Sequence, residues 1–509
     1  MIAIRLWVAP LLPLVASAAP SSCEALAKLT LPEASITLAQ VVAAGEFSLP
    51  AELRPDQLRA PGVSPAAGVL KKLPTFCRVA ATLKPSADSD IQVEIWLPES
   101  GWNGKYQAVG NGAWAGTITY ANLSEALLNG YATSGTDTGH NTSGGSFALG
   151  HPEKLIDFAW RSEHAMTVQA KTVIKAFYGA DPKLSYWVGC SSGGKQGLKE
   201  AQNFPDDYDG IVAGAPVLNW THRSIEALWV ALAALKDPAS HIPPEKYALI
   251  HQAAIAACDE RDGLKDGLIS DPEGCHFDPG TLECKEGDGA LCLTRAQVEA
   301  VRKIYTPAQN PRTGEQLSPR FEPGSEPGWR AIAGGPGPFG PANDYFKYVV
   351  FHDPAWDWHT FDLDRDAALA DRVDDNTINA TSPDLKRFTA HGGKMILYHG
   401  WTDTNITPQA TVEYYEKVAA QMGDAAGQSV RLFMVPGMNH CGGGEGPNVF
   451  RMTSALEQWV EQGTPPDQVL ASHLTAGKVD RTRPLCAYPK TAHYQGTGDP
   501  NDAANFVCK

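Results

Sequence analysis

The sequence predicts an α/β protein, a parallel sheet flanked by helices and split by one long insertion. Short apolar runs ending in glycine-rich turns alternate with longer stretches of helical spacing in the first and last parts of the chain. Between about 218 and 388 that rhythm gives way to Trp, Asp, Pro and turn residues. The composition is that of an ordinary globular chain: 509 residues, 43% hydrophobic and 19% charged, with enough apolar material for a large core.

The elements follow in order. Ile91–Trp96 alternates and reads as a strand, and Tyr106–Val109 as another running into Gly110-Asn-Gly112. Ser162–Tyr178 has helical apolar spacing. Leu184–Val188 is a short apolar strand, Ser192 to about Asn203 a helix, and Gly210–Ala213 the next buried strand. The rhythm resumes with a strand at Lys394–Tyr398, a helix over Thr407–Gln421, a strand at Val430–Val435 and a helix at Met452–Gln462. The predicted organisation is therefore core over 19–217, an inserted lid over 218–388, and core again over 389–509.

The first 18 residues read as a secretion signal. Arg5 supplies the positive end, Leu6–Val15 the apolar stretch, and Ala16-Ser-Ala18 the small-x-small cleavage site. Ten cysteines, all beyond that segment, suit an oxidising compartment and a set of five disulfides. Local spacing pairs Cys258 with Cys275, Cys284 with Cys292, and Cys486 with Cys508, while buried thiols or a metal site stay open as alternatives. No CxxC pair is present, which disfavours a zinc ribbon. The net charge of −15 repels phosphate backbones and argues against a nucleic-acid partner. Beyond the leader no apolar run is long enough to span a bilayer.

The chemistry sits at the ends of predicted strands. Gly189-Cys-Ser-Ser-Gly193 matches G-x-S-x-G, the sharp strand-to-helix turn on which an α/β-hydrolase exposes its nucleophile. Glycines at both flanks avoid clashes, so the Ser191 hydroxyl protrudes, and the Ser192 N–H at the helix start is a donor for an oxyanion. A serine nucleophile needs a base and an orienter, and this fold supplies them in the order Ser, acid, His. Asp403 follows the strand at Lys394–Tyr398, and His440 follows Val430–Val435. Taken singly, a helix-capping Asp and a solvated loop His are the bland readings. Three such residues in this order, each after a strand, are the expected triad. Cys190 precedes the serine and Cys441 follows the histidine, so a bond between them would clamp the nucleophile turn to the base loop.

Gly110-Asn-Gly-Ala-Trp-Ala-Gly116, Thr136-Asp-Thr-Gly-His140, Gly189-Cys-Ser-Ser-Gly-Gly194, Tyr398-His-Gly-Trp-Thr-Asp403 and Asn439-His-Cys441 together resemble the tannase and feruloyl esterase family of secreted α/β-hydrolases. That family also contains the mono(2-hydroxyethyl) terephthalate hydrolase. The resemblance covers nearly all of the chain after the leader. It implies the triad Ser191, Asp403 and His440, oxyanion N–H groups from Gly112 and Ser192, and a pocket position at His399. It also implies the disulfides Cys23–Cys77, Cys190–Cys441, Cys258–Cys275, Cys284–Cys292 and Cys486–Cys508.

Cys258-Asp-Glu-Arg-Asp-Gly-Leu-Lys-Asp-Gly-Leu268 spaces carboxylates between glycines, the pattern of either a solvated acidic turn or a loop for a hard cation, though not an EF-hand. The resemblance implies a structural Ca²⁺ there, held by the Asp259, Asp262 and Asp266 side chains and the Leu264 and Leu268 carbonyls, with no organic cofactor.

For the substrate, the insertion offers Trp220, Trp229, Trp329, Tyr345, Phe346 and Trp356 as walls of a slot for a planar acyl group, although each is individually more often core. Trp329, His399 and Ile406 are the pocket candidates. An aliphatic Ile406, where the terephthalate enzyme has an aromatic residue, weighs against that specialist activity, and Arg330 is a weak match for that enzyme's carboxylate-binding arginine. The expected function is a secreted serine esterase for hydroxycinnamoyl, feruloyl-type esters, including esters attached to plant polysaccharide or polyphenol. Galloyl esters and terephthalate monoesters are the catalytic alternatives, and a non-catalytic phenolic- or glycan-binding protein is the alternative of another class.

Overall fold

The structure, a computed structural model, describes residues 21–114 and 116–509. The secretion-signal reading of residues 1–18 lies outside the described residues. Nine strands form the main sheet: β1 (Ala34–Val42), β2 (Phe76–Leu83), β3 (Ile91–Pro98), β4 (Lys105–Val109), β5 (Ala132–Thr136), β6 (Leu184–Cys190), β7 (Gly210–Gly214), β8 (Lys394–Gly400) and β9 (Val430–Val435). Their spatial order is β1-β2-β3-β5-β4-β6-β7-β8-β9. The strands from β5 to β9 run parallel, and β1, β2 and β3 extend the sheet as an antiparallel wing paired to β5.

Helices cover both faces of the parallel part: α1 (Tyr120–Leu128), α2 (Ser162–Tyr178), α3 (Ser192–Asn203), and, after the sheet resumes, α7 (Pro408–Met422) and α8 (Met452–Gln462). Each follows a parallel strand, as crossovers between parallel neighbours require. The helices and strands expected after residue 90 occur within about two residues of their predicted limits. β5 gave no signal because Ala-Thr-Ser-Gly-Thr carries no apolar alternation. It is buried throughout between β3 and β4, where small side chains are what the close packing admits. β1 is an edge strand with a bulge between Ile36 and Leu38 and a largely exposed pattern, so hydrophobicity alone does not mark it.

The chain leaves the sheet after β7 and returns at β8, and the 215–393 insert builds its own apolar packing. Its first helix, α4 (Trp220–Ala234), is buried nearly all round. One side meets Trp114 and Phe158 from the sheet layer together with Tyr345 and Phe346, and the other meets α6 (Arg295–Ile304) through Val298, Val301 and Ile304. Between them in sequence lies α5 (Tyr247–Cys258), which leads into the Asp-rich loop. Among the described residues no helix is long and apolar enough to cross a membrane.

All ten cysteines are paired, in the five combinations the family resemblance implies. Cys190–Cys441 joins the end of β6 to the loop after β9 across 251 residues, with 6.0 Å between Cα atoms.

Trp329 is not a pocket wall. It is fully buried inside the insert, edge-on to Tyr305 and Tyr247, with its indole N–H donated to Ser325 Oγ. Its ring fills the interior that the short surrounding turns cannot close by themselves. Tyr345 and Phe346 are likewise core, and Trp356 stacks on Phe346. Trp329→Ala is therefore expected to lower the unfolding free energy by about 3–5 kcal/mol, read by denaturant titration. A loss below about 1 kcal/mol would contradict the packing role.

Candidate active site

Ser191 stands at the turn between β6 and α3 with φ 64° and ψ −123°. A non-glycine residue in that region is strained by about 1–3 kcal/mol and must be held by its surroundings. Its N–H donates to Gly214 O of β7, and its carbonyl accepts from Val217 and Lys195. The turn is so tight that a Cβ on Gly189 would lie 2.4 Å from Gly193 O. Glycine is therefore the residue that lets α3 start directly above β6.

The neighbouring 110–113 turn is fastened to the same helix. Gly193 N–H donates to Asn111 O at 2.7 Å, Gln196 exchanges hydrogen bonds with the Asn111 main chain and side chain, and Ser192 Oγ–H donates to Ala113 O. These bonds leave Gly112 facing the cavity beside Ser191 and Ser192. Among the described residues no backbone acceptor takes the Ser192 N–H, a first-turn donor that has no partner within its own helix. Gln196 was not among the residues the sequence marked. Its place one turn beyond the serine, facing the 110–113 turn, is a property of packing.

Asp403 and His440 sit in the loops that follow β8 and β9. His440 Nδ1–H donates to Asp403 Oδ2 at 2.6 Å, and His440 lines the same cavity as Ser191. Asp403 is buried, and each of its oxygens is doubly engaged. Oδ1 accepts the N–H groups of Asn405 and Ile406, while Oδ2 also accepts from His399 Nε2 at 3.0 Å. Burial alone would raise its pKa, but His440 and His399 outweigh that and hold the carboxyl well below the usual carboxylate range. The two loops touch directly: a Cβ on Gly400 would lie 2.1 Å from Met438 O, and Thr402 Oγ1–H donates to Asn439 Oδ1. Cys441, next to His440, also has a positive φ of 62° and is bonded to Cys190, next to Ser191.

His399 does not face a substrate. It is fully buried behind the acid, with Nδ1 on Thr411 Oγ1 and Nε2 shared between Asp403 and Ile406 O. The side chain one β-residue before Gly400 points into the sheet layer, where Thr411, Asp403 and the Ile406 carbonyl take up both ring nitrogens. Ile406 does line the cavity.

That cavity has a volume of about 1140 Å³. The insert lines it with Val217, Trp220 and Phe339, and Ile406 joins them from the loop after β8. Trp220 is the one proposed slot aromatic that reaches it. Trp229 packs instead beside α6, with its indole N–H on Lys303 O. Arg330 is exposed and away from the cavity, whereas Arg223, which sequence reasoning passed over, is buried in its wall. Its neighbour Glu226 is pushed up to about 7 by burial, with Arg223 opposing.

In the insert, Asp259 accepts the N–H groups of Asp266 and Gly267, and Asp262 that of Leu264. Burial and the nearby Asp266 and Asp259 carboxylates raise the Asp262 pKa. Asp266 also pairs with Arg483 from the C-terminal hairpin. Asp259, Asp262 and Asp266 thus lie on one glycine-turned loop, with their carboxylates engaged by its N–H groups and by Arg483.

Comparison with known proteins agrees with this geometry. The profile of the tannase and feruloyl esterase family matches residues 77–509. An uncharacterised esterase of Xanthomonas campestris is 37% identical over 97% of this chain and 92% of its own. A probable feruloyl esterase B of Aspergillus clavatus is 36% identical over 85% of this chain and 86% of its own. The crystal structure of feruloyl esterase B from Aspergillus oryzae superposes with a TM-score of 0.88 at 33% identity, covering 96% of this chain and 99% of that one. A tannin acyl hydrolase from Aspergillus niger, at 22% identity and a TM-score of 0.77, shares the fold. The chain therefore belongs to the tannase and feruloyl esterase family and is a carboxylic ester hydrolase with an α/β-hydrolase core.

Proposed function

We propose that the protein is a secreted serine esterase that cleaves esters of aromatic, feruloyl-type acids through an acyl-enzyme. The observation that carries this reading is the meeting of Ser191, on its strained turn, with the His440–Asp403 pair at one cavity. His440 takes the proton from Ser191 Oγ as the oxygen attacks the ester carbonyl, and Asp403 holds the imidazole and stabilises its cation. The Gly112 and Ser192 N–H groups receive the oxyanion. His440 then returns the proton to the leaving alcohol. Water activated by the same imidazole releases the acid. Trp220, Phe339 and Ile406 form the apolar side on which a planar acyl group packs. Relatives named as feruloyl esterases support that choice over galloyl or terephthalate esters. Secretion is supported by the five disulfides, which persist in oxidising compartments.

The deciding experiment is kcat/KM on methyl ferulate, methyl gallate, mono(2-hydroxyethyl) terephthalate and p-nitrophenyl acetate. Methyl ferulate is expected to be the best aromatic ester, and Ser191→Ala is expected to lose at least about a thousandfold on every substrate. A fluorophosphonate probe that labels Ser191→Ala as well as wild type would contradict the nucleophile assignment.

The Cys190–Cys441 bond closes a loop of 251 residues, worth about 5 kcal/mol in the chain-entropy account, and it ties the nucleophile turn to the base loop. Replacing both cysteines by alanine is expected to lower kcat about tenfold at temperatures where the circular dichroism of the sheet is unchanged. Wild-type turnover in the double variant would rule out the clamp.

The Asp259, Asp262 and Asp266 side chains, with the Leu264 and Leu268 carbonyls, are proposed to hold a structural Ca²⁺. Excess chelator is expected to lower the melting temperature and metal analysis to find calcium on the purified chain. An unchanged melting curve with no metal present would remove the site.

A further inference from the structure

We propose that Arg223 and Glu226, on the first helix of the insert, are positioning residues that hold the acid loop and so set Asp403 against His440. The inference rests on the serine-esterase reading. Residues 403–407 turn sharply between β8 and α7. The turn satisfies the N–H groups of Asn405 and Ile406 internally, on Asp403 Oδ1. Its carbonyls at Thr404 and Asn405 face the other way and need donors from outside, because a buried carbonyl left unpaired is costly.

Arg223 supplies them. Its Nε–H donates to Asn405 O, and its Nη2–H to Thr404 O at 3.4 Å. A planar guanidinium presents N–H groups in a fixed fork that can serve two successive carbonyls at once. Its face lies 4.8 Å from the Phe339 ring and its Nη1 is 3.5 Å from Glu226 Oε2, so the fork is held on three sides. Glu226 in turn accepts the Thr407 hydroxyl at 2.7 Å. Thr407 is the N-cap of α7, yet its hydroxyl makes no bond to its own helix. The two side chains therefore grip the acid loop at both ends, and both are buried.

The consequence is that the sheet alone does not complete the triad. The insert reaches back and fixes the loop that carries both Asp403 and the cavity residue Ile406. Removing one partner of a buried pair leaves the other charge uncompensated and also weakens folding, so the milder Thr407→Val, which leaves the pair intact, separates placement of the acid from stability.

Arg223 also lines the cavity, and the test separates positioning from substrate contact. Kinetics of Arg223→Gln are compared with wild type on methyl ferulate and on p-nitrophenyl acetate, whose acyl group carries no ring to meet Phe339. The expected result is a kcat lowered about ten- to a hundredfold on both esters by the same factor, with KM within about twofold. In an Asp403→Asn background the same substitution is expected to cost nothing further. Thr407→Val, a milder change, is expected to lower kcat in the same way by about two- to fivefold and serves if Arg223→Gln does not fold. A loss confined to KM for methyl ferulate would make Arg223 a substrate contact and overturn the proposal. So would an undiminished effect in the Asp403→Asn background, or wild-type kcat in both variants. Wild type that turns over neither ester would overturn the esterase reading itself, and the proposal with it.

Discussion

A carboxylate without water around it survives ionised only if its lone pairs are occupied, and Asp403 is placed under that constraint. Two amides of its own turn take one oxygen and two imidazoles take the other. Each donor fixes something else in turn. The amides set the conformation of 403–406 and hence the position of Ile406 in the cavity wall. His399 locks the loop to Thr411 on the following helix. His440 is held by its Nδ1–H bond to Asp403 at the cavity that Ser191 also lines. One buried charge thus organises a strand end, a loop, a helix start and His440.

The remaining geometry brings Ser191 to that assembly. Parallel strands deliver Ser191, Asp403 and His440 to the same end of the sheet, since every crossover returns to the same side. The pieces then meet through close backbone approaches at which side chains would clash, Gly189 against Gly193 and Gly400 against Met438. Ser191 and Cys441 keep unfavourable backbone angles, and the disulfide that joins their neighbourhoods helps to over-determine both. The insert closes the arrangement from above, giving the cavity an apolar side in Trp220 and Phe339 and giving the acid loop its external donors.

Legibility in the sequence followed the strength of the local signal. The parallel strands and their helices were readable because amphipathic or apolar runs are bounded by glycines. G-x-S-x-G was readable because its steric demand is local to five residues. Asp403 and His440 were readable because each closely follows a strand. β5 was not, since a fully enclosed strand of small residues shows no alternation, and β1 was not, since an edge strand buries little. The pocket residues divided according to long-range packing. Trp329 and Trp220 look alike in sequence, yet one fills the interior of the insert and the other opens onto the cavity. Arg223 and Gln196 look like ordinary helix residues until the loops they hold are placed opposite them.

The chain by itself determined the strands and helices of the sheet, the break between 214 and 394, and the order of Ser191, Asp403 and His440 after their strands, because strand ends and turns are set by neighbours within a few residues. Only the tertiary structure decided that His399 backs the acid rather than the substrate, which aromatic residues border the cavity, and that the insert supplies donors to the acid loop. Those outcomes depend on which groups, far apart in sequence, compete for the same buried hydrogen bonds and the same space, and that competition exists only once the chain is packed.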